Sequence, residues 1–573
     1  SPLGKLICLD PVSGEEIWIY DPANGKPTNI RQRLRGLSYW SDGKKARLFI
    51  PHGKDLISID TETGKPDPLF GNGGRVDMSE GLGRNLTSIS VSIQTPGVIH
   101  KDLLIIGSVG NTPGHVRAYD VRSGEVRWIF HTIPQPGEYG YETWPEEAWK
   151  TSMGANIWSG MTLDPQREIV YLPTASAGMS DKDFYGADRH GDNLFGTSLV
   201  ALDANTGGRI WHFQFVKHDL WDRDLPTQPT LVTVKRDGID IPAVVQPTKA
   251  GLLYAFNRET GKPLFEMEER EVFASEVPGE LAAKTQIIPL TPEPFSRQHL
   301  TEDLLTKRTP EAAAAAKAHF ASVSSRGAFD PPSEKGAIIF PGLDGGAEWG
   351  GSSYDPETGL LYVNANEMAW TLKLNPRSPI TMGNGGKALY LNNCVACHGG
   401  NFEGSPPEFP GLTGIGDRLS GLDLYMIVAE GGGRMPAFGD LGDDNLAKII
   451  NYIQTGEDDG GDSESVTDVS VNALVDDYVF DGYTKFLDPD GYPAITPPWG
   501  TLNAINMNNG EYAWKIPFGE YPELAAQGLK DTGSENYGGA VVTKGGLLFI
   551  GATMFDNKFR AFNKRTDELL WET

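Results

Sequence analysis

The sequence predicts a mainly β fold, a β-propeller, that carries a small all-α domain inserted in one blade. Two observations lead to this prediction. A strand–turn–strand pattern recurs seven times along the 573 residues, and a helical segment separates two strands of one repeat. Because a lone hairpin cannot bury its apolar face, radial repetition around a common centre is the natural closed form. A β-sandwich with coincidental turns is the alternative.

Each repeat has an apolar strand, an Asp or Asn that opens a tight turn, usually a Gly four residues later, and a second strand. A tryptophan such as Trp18 follows most of these turns and is predicted to dock between neighbouring blades. The paired turn positions are Asp10 and Gly14, Asp60 and Gly64, Asp120 and Gly124, Asp203 and Gly207, Asn257 and Gly261, Asn506 and Gly510, and Asn563 and Asp567.

A second pattern, Trp and Gly followed by Asp-Pro, precedes two of the repeats and predicts the first two strands of a blade. One copy starts at Trp158 and the other at Trp349. The closing hairpin follows soon after the first copy, whereas after the second it is delayed until Leu502. We therefore expect an inserted domain between propeller segments, with boundaries at 1–375 for the first propeller part, 376–458 for the insertion, and 459–573 for the linker and remaining strands.

The run Cys394-Val395-Ala396-Cys397-His398 is the attachment signature of a c-type haem. Cys394 and Cys397 would form thioethers to the haem vinyl groups, and His398 would bind the iron. The alternative is a zinc or redox Cys-x-x-Cys site, which needs a second ligand pair or a thioredoxin-like pattern. The remaining cysteine, Cys8, stands alone in the sequence and is expected to pack as a small apolar residue.

Helical periodicity around this signature predicts a small all-α cytochrome c domain. Met435 precedes a proline in the loop between two of the predicted helices, as suits the second axial ligand of a cytochrome c. Met/His ligation raises the haem potential and suits electron transfer. A packed loop methionine is the alternative for Met435. The predicted helices cover residues 389–393, 422–430 and 445–455.

Composition limits the partners and the location of the chain. The net charge of −26 argues against nucleic acid and means that an anionic cofactor must be held by local Arg and Lys side chains. No apolar run approaches the ~20 residues of a membrane span. Because haem is attached to Cys-x-x-Cys-His after export in bacteria, a periplasmic location is expected. No signal peptide is present, and both termini fall on predicted strands, so we expect a chain trimmed at both ends.

Four stretches of the sequence carry a resemblance that extends over nearly the whole chain. The most specific is residues 218–229, His-Asp-Leu-Trp-Asp-Arg-Asp-Leu-Pro-Thr-Gln-Pro, and the others are 35–40, 191–195 and 247–251. With the Trp-bearing hairpins, they resemble the quinoprotein dehydrogenases that use pyrroloquinoline quinone (PQQ), most closely the glucose-dehydrogenase branch in forms with a cytochrome c module. The resemblance implies an eight-bladed propeller, incomplete here at both termini.

The resemblance also implies oxidation of a CH–OH group in a sugar, polyol or alcohol, with electrons passing from reduced PQQ to haem c and on to a cytochrome or quinone. Asp222 matches the carboxylate that takes the substrate hydroxyl proton. Lys249 matches the basic residue that bonds to the quinone oxygens. Arg35 matches a residue that pairs with a PQQ carboxylate, and Trp158 one on which the cofactor stacks. Further cofactor contacts are expected from Gly110, Asn111 and Tyr537.

The family holds Ca²⁺ or another hard cation through oxygen ligands beside the quinone. By resemblance, the ligands here are Asn193, Asp222 and Asn111, with Asp188 as an alternative. Members of the family place Glu or an Asp-Asn pair in the loop 107–112, where this chain has only Asn111. The identity of the metal and its third ligand therefore stay open.

Several alternatives remain at this point. Asp219 and Asp224 flank the predicted base, and any of the three aspartates could merely cap a turn. Arg31 stands where membrane glucose dehydrogenases have a sugar-contacting His, so glucose itself is not predicted. The chain could also be a non-catalytic propeller scaffold fused to an electron-carrying cytochrome c. An oxidoreductase that uses haem alone would need a second haem signature, and the sequence contains only a single Cys-x-x-Cys-His.

Overall fold

A computed structural model describes most of the chain: residues 4–23, 35–83, 91–93, 95–109, 112–178, 180–376, 384–404, 409–431, 435, 438–458 and 478–573. The chain forms two compact units. The first comprises Ser1–Thr112, Val116–Ile129 and Asn375–Tyr483, and the second Pro113–His115, Phe130–Leu374 and Thr484–Thr573.

The first ten strands form a hairpin and two four-stranded sheets. The hairpin is β1–β2, and each sheet, β3–β6 and β7–β10, keeps its strands in chain order. The bounds are β1 Leu6–Leu9, β2 Glu16–Tyr20, β3 Ser38–Ser41, β4 Ala46–His52, β5 Asp55–Asp60, β6 Arg75–Asp77, β7 Val98–His100, β8 Leu103–Ile106, β9 Val116–Asp120 and β10 Val126–Phe130.

The later strands form further four-stranded sheets and some smaller ones. Their bounds are β11 Thr162–Asp164, β12 Ile169–Pro173, β13 Ser198–Asp203, β14 Arg209–Gln214, β15 Thr230–Arg236, β16 Ile239–Pro247, β17 Leu253–Asn257, β18 Met267–Glu271, β19 Thr285–Pro289, β20 Ala337–Ile339, β21 Ser353–Asp355, β22 Leu360–Asn366, β23 Trp370–Leu372, β24 Leu374–Pro376, β25 Tyr478–Phe480, β26 Thr484–Lys485, β27 Gly500–Asn506, β28 Tyr512–Pro517, β29 Ala540–Val542, β30 Leu547–Ile550, β31 Arg560–Asn563 and β32 Leu569–Glu572. Four-stranded sheets form from β11–β14, from β21-β22-β27-β28 and from β29–β32, and β15–β17 form a three-stranded one.

Seven α-helices accompany the strands in the described part of the chain. Every helix there is too short or too polar to cross a bilayer. The helices are α1 Ala148–Thr151, α2 Pro310–Ser322, α3 Gly386–Asn393, α4 Val395–His398, α5 Gly421–Glu430, α6 Asp443–Thr455 and α7 Pro522–Ala526.

The turns of the repeat have the chemistry that the sequence predicts. In the second copy, the Asp60 carboxylate accepts the backbone N–H of Thr63 at 2.9 Å, and Gly64 N–H donates to the Asp60 carbonyl at 2.9 Å. Gly64 has φ +66°, which a residue with a Cβ rarely adopts. In the last copy Asp567 takes this position with φ +61°. The turn therefore needs a left-handed residue, which is usually Gly.

The repeat tryptophans dock on the next repeat, as predicted. The indole Nε1–H donates to a carbonyl of the following turn: Trp18 to Thr61 at 3.0 Å, and Trp211 to Arg258 at 2.9 Å. A Cβ on Gly261, in that second turn, would lie 2.6 Å from the Trp211 ring. The turn glycine thus provides both the backbone conformation and the space for the neighbouring indole.

Successive sheets pack face to face through buried aliphatic and aromatic side chains. In the first unit Phe49 and Leu56 of one sheet pack with Leu104 and Tyr119 of the next. In the second unit the β15–β17 sheet packs in the same way against β22 and β27. Each fully buried side chain of this size contributes about 1.5–3 kcal/mol relative to exposure. Burial between adjacent sheets is therefore the main stabilising term of each unit.

The delayed closing hairpin is found where the sequence predicts it. Strand β22 pairs with β27 in antiparallel register, with Leu361 opposite Ile505. Helices α3–α6 lie between these strands in the sequence, and α3, α5 and α6 agree with the three predicted helices within a few residues. Ser420 and Asp423 form a capping box that starts α5.

Candidate active site

The loop between β14 and β15 carries the three aspartates of the most specific stretch. Asp219 is buried, and its carboxylate accepts the backbone N–H groups of Trp221 at 2.9 Å and Arg223 at 2.8 Å. It also accepts the Thr197 hydroxyl at 2.8 Å. Asp219 is thus a structural cap of this loop, and its carboxylate is committed to fixing the backbone around Trp221.

Asp222 faces a lysine from another loop. Its φ of +51° is unusual for a residue with a side chain, and such backbone strain persists where the surrounding structure enforces it. The Lys249 ammonium lies 3.0 Å from the Asp222 carboxylate. Lys249 follows the end of β16, and a Cβ on Gly345 would lie 2.5 Å from the Lys249 Cγ. Close packing on Gly345 therefore holds the lysine stem.

Trp158 is joined to the same group through Asp224. The Trp158 Nε1–H donates to Asp224 Oδ2 at 2.7 Å, and the Lys249 ammonium lies 3.7 Å from that oxygen. The other Asp224 oxygen accepts the Ser176 backbone N–H at 2.6 Å. The structure therefore brings Trp158, Asp222 and Lys249, three predicted site residues, into one cluster.

The electrostatics of this cluster favour a protonated lysine and a weakly acidic aspartate. Burial raises the pKa of Asp222 well above its ordinary value; Lys249 opposes this shift, and the carboxylates of Asp224 and Asp183 add to it. Burial lowers the pKa of Lys249, but Asp222 and Asp224 outweigh that effect and leave it raised. Burial and Asp224 raise the pKa of Asp183 to about 7. Asp222 and Asp224 therefore share one ammonium, and Asp183 adds a third carboxyl group to the cluster.

The predicted metal ligands have partners within the protein. Asn193 is buried; its Oδ1 accepts the Arg189 guanidinium at 2.7 Å, and its Nδ2 donates to the Arg189 carbonyl at 2.5 Å. Asp188 forms an ion pair with Lys182. Gly110 and Asn111 lie outside the described residues. In the part of the chain that is described, no group of three or more His, Cys, Asp or Glu side chains is arranged to hold a metal ion.

Tyr537 and Arg35 are the other predicted cofactor contacts. The Tyr537 hydroxyl donates to Asp344 at 2.9 Å. Asp344 precedes Gly345, and the backbone N–H of Gly346 donates to the Lys249 carbonyl at 2.7 Å. Tyr537 is thus connected to the segment that packs on Lys249. Arg35 is half-buried in the first unit, and its contact with PQQ stays a prediction.

The haem signature lies on helix α4 of the first unit, with Cys394 at the N-cap of that helix. The His398 Nδ1 is 2.9 Å from the Pro410 carbonyl oxygen. Because a carbonyl only accepts, the Nδ1 carries the proton and the Nε2 is left for a metal. Burial lowers the pKa of His398, which favours the neutral imidazole that binds iron. Cys394 is buried, and Cys397, three residues on, is half-buried. Met435 is half-buried, and its ligation stays a prediction.

Several residues of the site have no signal in the sequence. Asp183, Ser176 and Arg189 lie outside every repeat and every recognised stretch, yet they contact or polarise the predicted residues. Arg189 is adjacent to Asp188, which the resemblance offers as an alternative ligand, but the arginine makes the contact with Asn193. The only signal for Asp224 in the sequence is that it lies two residues from Asp222, the predicted base.

Comparison with known proteins identifies the chain. Residues 1–391 and 424–573 match the family described as "PQQ: Glucose/ethanol/alcohol dehydrogenase, beta-propeller domain". The chain belongs to this family. Residues 382–453, which contain the haem signature, match "Cytochrome C oxidase, cbb3-type, subunit III". The resemblance to PQQ quinoproteins with a cytochrome c segment is therefore confirmed, and so is a mainly β fold of the propeller type.

Relatives within the quinoprotein family act on different substrates. The chain is 30% identical to the quinate/shikimate dehydrogenase (quinone) of Acinetobacter baylyi and spans 100% of its own length but 65% of that relative. It is 28% identical to the glycerol dehydrogenase large subunit of Gluconobacter thailandicus, of which it covers 70%. It is 27% identical to the quinoprotein glucose dehydrogenase of Escherichia coli, of which it covers 64%.

Solved structures support the fold of the quinoprotein family. A quinohemoprotein alcohol dehydrogenase from Pseudomonas putida HK5 matches with a TM-score of 0.57 at 20% identity, over 100% of this chain and 64% of that one. A europium-containing methanol dehydrogenase matches with a TM-score of 0.57 at 18% identity, over 99% of this chain and 74% of that one.

The side chains fit the cofactors of the quinoprotein family, which are PQQ with Ca²⁺ or another cation, and haem c. Lys249 offers a buried ammonium, and the Trp158 indole donates to the same Asp224 carboxylate that this ammonium faces. A hard cation near Asp222 would relieve the excess of carboxylates there, and Asn193 Oδ1 keeps a second lone pair. The free Nε2 of His398 and the two thiols of its signature fit a covalent haem.

Proposed function

We propose that this chain is a PQQ-dependent quinohaemoprotein dehydrogenase that oxidises a CH–OH group of a sugar, polyol or alcohol. One observation carries the proposal: the Lys249 ammonium and the Asp222 carboxylate lie 3.0 Å apart at a mostly buried position, linked through Asp224 to the Trp158 indole. A base, a cation and an aromatic face are the parts needed to hold an alcohol against a planar quinone. Bound PQQ supplies a two-electron acceptor.

Asp222 is the proposed general base, which takes the substrate hydroxyl proton on a carboxylate oxygen. Burial raises its pKa above the ordinary carboxyl range, which brings it closer to that of a base useful near neutral pH. Lys249 opposes this rise in the pKa of Asp222, because its ammonium favours the carboxylate. The same ammonium, held protonated by Asp222 and Asp224, is the proposed donor to the quinone oxygens.

The remaining predicted residues hold and orient the cofactors. Trp158 is proposed to stack on PQQ, and Arg35 and Tyr537 to bind its polar groups, together with Gly110 and Asn111. Asp222 and Asn193 are proposed to hold the cation, with Asn111 or Asp188 as a further ligand. These assignments rest on the resemblance of the sequence stretches and on the clustering of Trp158, Asp222 and Lys249.

Haem c would receive electrons from the reduced cofactor one at a time. Cys394 and Cys397 are proposed to hold the porphyrin by thioethers, with His398 and Met435 as axial ligands. The pairing of β22 with β27, and the helices between them in sequence, support insertion of the cytochrome domain, at about 376–458, into one blade of an eight-bladed propeller. Covalent haem attachment supports a periplasmic location, and the downstream acceptor is proposed to be a cytochrome or a quinone.

The substrate class is proposed to be a small polyhydroxylated compound. Relatives are named for quinate or shikimate, for glycerol and for glucose. These compounds all carry a secondary alcohol flanked by further hydroxyl groups. The full-length protein, loaded with PQQ and Ca²⁺, is assayed against quinate, shikimate, glycerol, glucose and ethanol. We expect one or more to reduce an artificial dye and the haem, seen as the absorbance change of ferrous cytochrome c.

The variant Asp222→Asn tests the assignment of the base. We expect a loss of oxidation on the order of 100-fold or more, with the haem spectrum and bound PQQ retained. Asp240→Asn is the matched control, because Asp240 is an exposed aspartate on β16, the strand that leads to Lys249. Turnover that survives in Asp222→Asn would show that another group takes the proton. A wild-type protein that binds PQQ yet oxidises nothing would favour the non-catalytic scaffold.

A further inference from the structure

Asp224 joins three separate segments of the site. Its Oδ2 accepts the Trp158 indole N–H at 2.7 Å, and its Oδ1 accepts the Ser176 backbone N–H at 2.6 Å. Lys249 Nζ lies 3.7 Å from Oδ2. Asp224 is 9% exposed, so these contacts form with little competition from water.

We propose that Asp224 is a positioning residue that fixes the Trp158 indole and the Lys249 ammonium relative to each other. This role rests on the proposed function, in which the indole and the ammonium contact PQQ. Asp224 itself need not touch substrate or cofactor. Its carboxylate sets the orientation of the indole ring through the Nε1–H bond and holds the ammonium through charge.

Only a carboxylate satisfies both hydrogen bonds of Asp224. Both neighbouring groups, the Trp158 indole and the Ser176 backbone, are donors. An ionised carboxylate is acceptor-only, whereas the amide of Asn has one acceptor and one donor end. Asparagine at 224 would therefore satisfy one donor and point its NH₂ group at the other. The indole or the backbone must then move.

Asp183 provides a matched control. It belongs to the same cluster of carboxylates, but its hydrogen bond is with the Ser176 hydroxyl, which can both donate and accept. Asp183→Asn changes a second carboxyl group of the cluster and leaves the Trp158 bond intact. Effects common to any carboxyl-to-amide change in the cluster appear in both variants, while an effect of indole orientation is confined to Asp224→Asn.

The experiment measures PQQ binding, kinetics and the indole N–H signal in the full-length protein with saturating Ca²⁺. We expect Asp224→Asn to raise the PQQ dissociation constant by roughly 10-fold or more relative to Asp183→Asn, because only Asp224→Asn loses the charge-assisted hydrogen bond to Trp158. With PQQ at saturation, kcat should fall while KM for the substrate stays within about twofold. The ¹⁵N-indole resonance of Trp158, assigned with Trp158→Phe, should shift in Asp224→Asn and not in Asp183→Asn.

The outcomes separate this inference from the proposed function. A wild-type protein that binds no PQQ refutes the proposed function, whatever the variants do. A wild-type protein that binds PQQ and turns over, with Asp224→Asn equal to Asp183→Asn in every readout, refutes the role of Asp224 alone. If Asp224→Asn does not fold, the indole N–H spectrum of the wild-type protein tests the role of Asp224. The Trp158 indole proton must then resonate downfield of Trp211 and Trp221, which donate to carbonyls, and an upfield position overturns the proposal.

Discussion

The Lys249 ammonium lies 3.0 Å from the Asp222 carboxylate, and the two residues lie on separate loops, one before β15 and one after β16. Each group depends on the other, because burial disfavours the charged form of both. The pair is therefore sensitive to removal of either partner, since a buried charge without its partner is costly.

Lys249→Gln is expected to reduce substrate oxidation by on the order of 100-fold or more. Without the ammonium, the pKa of Asp222 rises further, so a smaller fraction of its carboxyl is ionised to act as a base. Lys249→Arg keeps the charge and should retain part of the activity. Steady-state dye reduction at several pH values measures the activity of both variants. A Lys249→Gln protein with the wild-type rate would contradict the proposed role of the pair.

Met435→His is expected to lower the haem midpoint potential by on the order of 100 mV or more, because Met/His ligation raises the potential. The measurement is a spectroscopic redox titration. Reduction of bound PQQ by substrate in a single turnover should persist, since Asp222 and Lys249 are unchanged. An unaltered potential would mean that Met435 is a packed loop residue and does not bind the iron.

Gly261→Ala is expected to destabilise the protein by about 2–4 kcal/mol through two effects. Gly261 has φ +68°, and the new Cβ would lie 2.6 Å from the Trp211 ring. Gly238→Ala is the matched control, because Gly238 has φ +77° and a methyl group added there would meet nothing within 4 Å. It should cost only about 1 kcal/mol. Equal losses in urea unfolding would show that docking of Trp211 adds nothing to the strain of the turn.

His212→Gln is expected to flatten the pH dependence of stability between about pH 6.5 and 4. Burial, with a contribution from Arg209, lowers the pKa of His212 from 6.5 to about 4. The unfolded chain therefore binds the proton first as pH falls, so the wild type loses free energy of unfolding across this window. The half-buried position limits the loss to about 1–3 kcal/mol. Urea unfolding at pH 7 and pH 5 measures it, and parallel pH slopes for the two proteins would count against this effect.

The repeat and the haem signature could be predicted from the sequence because both depend on local chemistry. An Asp or Asn that accepts the N–H groups of its own turn, with a left-handed residue four positions on, leaves a fixed spacing at every copy. Cys394, Cys397 and His398 lie within five consecutive residues and need no distant partner to be recognised. The delayed strand pairing followed from the same repeat, since a blade begun at Trp349 required its missing hairpin.

Local chemistry in the chain is enough to predict the β repeats, the haem signature and, through the resemblance, Asp222, Lys249 and Trp158 as site residues. Only the folded chain shows that Asp219 caps its loop while Asp224 joins Trp158 to Lys249. The physical reason is that hydrogen bonds between side chains on separate loops leave no spacing in the chain. Which aspartate meets which donor depends on how the strands pack, and only the folded backbone fixes those distances.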